Sequence, residues 1–85
     1  MQSFNYVIQD ELGIHARPAG LLAKVAKEFE SNISIVCGEK KAQAKGVMGI
    51  MTLAVKQGNE VEIIAEGADE EKAIEALKDF FEKNL

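Results

Sequence analysis

The sequence predicts an α+β sandwich, in which hairpin-linked strands carry helices packed on one face. Three observations lead there. Apolar residues alternate with polar ones in short stretches at residues 4–8, 33–37 and 61–65. They recur instead at helical spacing over residues 22–29 and 73–81. Gly38-Glu39 and Gly58-Asn59 stand where consecutive strands would turn.

Phe4, Tyr6 and Ile8 alternate with Ser3, Asn5 and Val7 as a first strand, and Asp10 to Gly13 form a loop. Leu22, Val25, Ala26 and Phe29 then define a helix from about Ala16 to Phe29. Ile33, Ile35 and Cys37 point inward from a second strand, with Cys37 as a buried small hydrophobe. Gly38-Glu39 suits a two-residue hairpin turn with glycine first, and Lys40 to Ala44 return as a third strand. The continuous apolar run from Val47 to Val55 fits either a short buried strand or a short helix. Val61, Ile63 and Ala65 form another strand, with Glu60, Glu62 and Glu66 facing water. Ala73, Ile74, Leu77, Phe80 and Phe81 line one side of a last helix beginning near Glu70. Asp69 is its expected N-cap, and Glu70 and Glu71 complement its dipole. The order is β-α-β-β-(α)-β-α.

Length and composition bound the function. Residues 1–85, 47% of them apolar, make one domain with one hydrophobic core. The run from Val47 to Val55 is broken by Gly49 and Thr52 and falls short of the roughly 20 residues of a membrane span. Residues 1–10 have no secretory-signal pattern. A single cysteine excludes an internal disulfide and fits a reducing, cytoplasmic setting. One Cys and one His are too few for a metal site, so neither metal nor cofactor is expected. A net charge of −4 argues against nucleic acid. Residues 1–59 nevertheless hold seven basic against five acidic side chains, and residues 60–85 three against nine. The working face, if it lies in the first part, is mildly positive.

The chemistry concentrates in Gly13-Ile14-His15-Ala16-Arg17-Pro18-Ala19-Gly20. Proline is tolerated in a helix's first turn, where amides lack intrahelical partners, and that places His15 at or near the N-cap. The amides of Ala16 and Arg17 then point at whatever the imidazole carries. Together with the positive end of the helix they make an anion site, to which Arg17 adds a permanent charge. An uncharged imidazole is a competent nucleophile toward phosphorus. No general base, metal cluster or deep cleft accompanies it. Such a site can receive and release a group but needs a partner protein to drive the chemistry.

The octet resembles the active-site signature of the HPr family, the histidine-containing phosphocarriers of the phosphoenolpyruvate-dependent sugar phosphotransferase system. Lys45-Gly46-Val47-Met48-Gly49-Ile50-Met51-Thr52-Leu53 and Gly67-Ala68-Asp69-Glu70-Glu71 resemble two further family segments, so the likeness runs the length of the chain. The resemblance implies an open-faced β-sandwich, a four-stranded antiparallel sheet covered on one face by three helices (β-α-β-β-α-β-α), with residues 47–52 helical. It implies phosphorylation of His15 on Nδ1 by phosphorylated enzyme I, onward transfer to enzyme IIA domains of sugar permeases, and Arg17 as electrostatic partner. The family's regulatory serine falls at Gly46, which has no hydroxyl, so no kinase site is expected there.

Arg17, Gly20, Leu21, Lys24 and Lys27 share the helix face opposite the core stripe. The family uses this face against acidic partners. Val47 and Met48 are expected to form an adaptable apolar patch beside it, and Met51 fits either patch or core. No membrane insertion is expected, and the chain should be a monomer. The competing readings are a paralogue in a nitrogen-regulatory relay and a regulatory module that docks without transferring anything. Intact His15 and Arg17 count against the second. An independent enzyme would need the cleft and base that the sequence lacks.

Overall fold

Residues that alternate in the sequence pair across one antiparallel sheet in the computed structural model, which describes residues 1–85. The strands are β1 (Gln2–Val7), β2 (Asn32–Cys37), β3 (Lys40–Gln43) and β4 (Glu60–Glu66), and the helices are α1 (Ala16–Lys27), α2 (Val47–Thr52) and α3 (Glu70–Asn84). The strand order is β1-β4-β2-β3, every neighbouring pair antiparallel. This is the open-faced sandwich: four strands, with three helices on one face.

The register explains which residues enter the core. Phe4 pairs with Ile63, and Ile63 with Ile35, so one row of inward side chains crosses the sheet. Val61, Ile63, Ala65, Ile33 and Ile35 are fully buried beneath the helices. Leu22, Ala23 and Ala26 cover them from α1, and Ala73, Leu77 and Phe81 from α3. Phe81 anchors the α3 side. Its ring meets those of Phe4, Tyr6 and Phe80 edge-on, at centroid distances of 5.9, 5.6 and 6.1 Å. Burial of one such ring contributes roughly 1.5–3 kcal/mol.

Several expected details differ. α1 stops at Lys27 rather than Phe29, because Glu28 and Phe29 donate to the carbonyls of Val25 and Ala26 three residues back, a tightened last turn. Phe29 and Val25 are therefore half-buried flank rather than core. β3 ends at Gln43, although Ala44 still donates to Ile33 O at 2.9 Å. Cys37 is half-buried, since it sits at the β2 end against the hairpin turn rather than beneath a helix. Glu62 is half-buried on the open face, flanked by Asn5 and Val36 on the neighbouring strands.

Asp69 stands at the N-cap of α3, but its carboxylate does not cap that helix. It turns instead to the loop after α1. There it accepts from the amides of Glu30 (2.9 Å) and Ser31 (3.0 Å) and from the Ser31 hydroxyl. Gly67 lets the two segments meet. Its φ is +156°, and a Cβ there would lie 2.7 Å from Ser31 Cα, so only glycine fits. On the other side of the loop, Lys45 donates from Nζ to Phe29 O at 2.7 Å, placing a positive charge at the negative end of α1. The α1–β2 turn is thus clamped by two charges distant in sequence.

The Ser31 hydroxyl, then the amides, hold the Asp69 carboxyl below its ordinary range. Stabilisation from a depressed carboxyl is present above its unfolded value and is lost as pH falls through the folded one. The denaturation midpoints of the wild type and Asp69→Asn should therefore differ at about pH 7, and the gap should narrow progressively as pH falls below the ordinary carboxyl value of about 3.9. Chemical denaturation across that range tests it, and a constant gap would contradict the clamp.

Candidate functional site

Ile14, His15 and Ala16 form the entrance to α1, and the loop before them is held by backbone geometry. Gly13 adopts φ +68°, and a Cβ there would lie 2.1 Å from Val55 O, so a side chain would push the loop off the segment after α2. Ile14 N donates to the same Val55 O at 3.2 Å, and the Ile14 side chain is buried. Val55 is itself placed by Ala54, the residue closing α2, at φ +52°. A non-glycine residue in that left-handed conformation costs about 1 kcal/mol or more. The octet is therefore seated on the α2 turn before its chemistry begins.

His15 is the N-cap residue of α1, with extended backbone (φ −104°, ψ −174°). Its carbonyl accepts from Ala19 N at 2.9 Å, which starts the helix. Its imidazole makes no capping bond, and the first turn carries no acidic side chain. Ala16 and Arg17 donate to no atom of the chain, and Pro18 has no amide hydrogen. The positive end of α1 is left open as a result. Around it, His15, Arg17, Pro18 and Leu21 line a surface depression, together with Asp10 from the loop and Asn84 from the end of α3. His15 is half-buried and Arg17 exposed, with its guanidinium in no ion pair. The arrangement offers a half-buried imidazole, two amides without an internal partner and an unpaired cation to a small anion.

The other residues singled out from the sequence fall on the neighbouring surface. Leu21 is 44% exposed, Lys24 and Lys27 are exposed, and Gly20 is partly so. α2 packs beside α1 and presents Met48, 78% exposed, and Met51, 41% exposed. Val47 reaches this surface only in part. It is half-buried and packs against the core. Gly46 is the α2 N-cap and has no side chain to close it. Sequence reasoning missed Asp10 and Asn84. Asp10 lies in the loop just before the octet, where no pattern marks it, and Asn84 is brought to the site only by the tertiary fold.

Comparison with known proteins agrees with this architecture. Residues 2–83 match the family model PTS-HPr, described as the PTS HPr component phosphorylation site. The phosphocarrier protein HPr of Mycoplasma capricolum is 46% identical over 78 residues, covering 92% of this chain and 88% of the relative. The crystal structure of HPr from Thermoanaerobacter tengcongensis superposes with a TM-score of 0.93 at 47% identity, covering 98% of this chain and 93% of that one. Crh, the Bacillus subtilis catabolite repression protein, was solved as a swapped dimer. It superposes with a TM-score of 0.79 at 38% identity, over 94% and 92% of the two chains. Fold and matches together define the class, a small phosphocarrier. The chain belongs to the HPr family and is the phosphocarrier component of the phosphotransferase system. Neither the nitrogen-regulatory paralogue nor the non-transferring module is favoured by these relatives.

Gly20 meets nothing within 4 Å where a Cβ would stand, so no intramolecular packing requires it. Gly20→Ala should stabilise α1 by about 1 kcal/mol and raise the melting temperature by about 4–8 °C. A thermal melt that shows no gain would contradict the helix geometry at this point.

Proposed function

We propose that His15 is the phosphorylated residue of this carrier. It receives the phosphoryl group on Nδ1 from phosphorylated enzyme I and passes it to enzyme IIA domains of sugar permeases. The observation that carries this reading is the uncapped N-terminus of α1, with an accessible imidazole at its mouth and no acceptor for the Ala16 and Arg17 amides.

In the transfer, the electron pair of the uncharged ring nitrogen forms the nitrogen–phosphorus bond, and the pair of the broken bond leaves with the donor. The Ala16 and Arg17 amides and the Arg17 guanidinium offset the charge brought onto the ring. Gly20, Leu21, Lys24 and Lys27 with Met48 and Met51 form the partner surface. Exposed thioethers adapt to dissimilar partners, and the lysines suit acidic ones. Val47 supports this surface from below. The 85 residues act as one domain, as a cytoplasmic monomer, without metal or cofactor. Gly46 offers no hydroxyl to a regulatory kinase, and glycine at an N-cap costs only a few tenths of a kcal/mol relative to serine, so the fold tolerates the loss of that control.

Incubation with enzyme I, Mg²⁺ and phosphoenolpyruvate should give an acid-labile, base-stable phosphate on the protein. His15→Ala should abolish it, and Arg17→Ala should slow its transfer by roughly a hundredfold, the scale of losing one charge-stabilising donor. Undiminished labelling of His15→Ala would place the phosphoryl group elsewhere.

A further inference from the structure

The depression that holds His15 also holds a carboxylate from outside the octet. Asp10 lines it with His15 and Arg17, and the loop fixes Asp10 in place. Its amide donates to Leu85 O at 2.9 Å, and its carbonyl accepts from Gly13 N at 3.0 Å. Its Oδ1 accepts from Leu12 N at 2.8 Å. Oδ2 accepts no hydrogen bond, and the chain's ion pairs are Met1–Glu70 and Lys83–Asp79. The Asp10 charge thus stands unpaired at the edge of a site otherwise built to attract anions.

A negative side chain there cannot help to hold a phosphoryl group, because like charges across a depression repel even through water. It can, however, keep the group from being held too well. A relay protein works only if it releases what it accepts, so amides and a guanidinium stabilising the phosphorylated ring need a counterweight. We propose that Asp10 raises the transfer potential of the phosphoryl group on His15 by through-space repulsion, acting as a positioning residue for the relay equilibrium rather than as a ligand of the group. This rests on His15 being the phosphorylated residue. No co-reactant is involved: the phosphoryl group moves between the donor and the ring nitrogen as described above, and Asp10 shifts only where that exchange comes to rest.

Asp10→Asn removes the charge and keeps an Oδ1 to accept from Leu12 N. Equal amounts of wild type and ¹⁵N-labelled Asp10→Asn are mixed with catalytic enzyme I and substoichiometric phosphoenolpyruvate. Intact-mass spectrometry then reads how the phosphoryl group divides between them. At low salt Asp10→Asn should hold roughly three- to tenfold more of it, and the excess should shrink toward parity at about 1 M salt, where the Debye length falls to about 3 Å. Equal division at low salt would overturn the proposal. So would an excess that salt leaves unchanged, since a structural effect of the substitution is not screened. Phosphate on both proteins at a residue other than His15 would overturn the His15 assignment first, and this proposal with it.

Discussion

The open amides at the start of α1 are the constraint around which the rest of this molecule is arranged. Most helices close their N-termini with a side-chain oxygen, because each unsatisfied donor is costly if it is kept from water. Here the N-cap is a histidine that bonds to none of them, the third helical residue is a proline with nothing to donate, and no acid occupies the first turn. The helix end is left with a positive potential and no internal partner. On the proposed function, an anion carried by the imidazole standing at that end would be the partner it lacks.

Keeping such an end in place takes support from elements that take no part in the chemistry. Gly13 and Ile14 rest on Val55, so the octet inherits its position from the turn after α2. The opposite end of α1 is held with equal care: Lys45 reaches the Phe29 carbonyl and Asp69 takes the Glu30 and Ser31 amides. The helix is pinned at both ends by loops and packed along its length by Leu22, Ala23 and Ala26. Its exposed face remains free for partners. A rigid helix with an open mouth and an uncommitted face suits the phosphocarrier role proposed for it.

Much of this was legible in the residues, for reasons that are local. Alternation in β4 reports a strand with one wet and one dry face, and Val61, Ile63 and Ala65 are indeed buried. Pro18 three places after His15 fixes where α1 starts, since proline is tolerated only in the first turn. What could not be read depends on chain segments that meet only in the fold. Asp69 has the residue type and position of an N-cap, yet its carboxylate is drawn 38 residues back to Ser31, where a buried hydroxyl and two amides compete better for it. The apolar run at residues 47–55 has no periodicity to separate helix from strand, and family resemblance rather than pattern identified α2. Asp10 and Asn84 gave no signal, because depressions between a loop and a distant helix end leave none in a sequence.

The central claim is that the Ala16 and Arg17 amides await an anion on His15. Amide proton and nitrogen shifts followed by NMR before and after enzymatic phosphorylation address it most directly. The account predicts large downfield proton shifts at Ala16 and Arg17, with small changes in β1 and along α3. Phosphorylation at His15 that leaves those two amides unmoved would show that the helix end does not hold the group, and the account would fail.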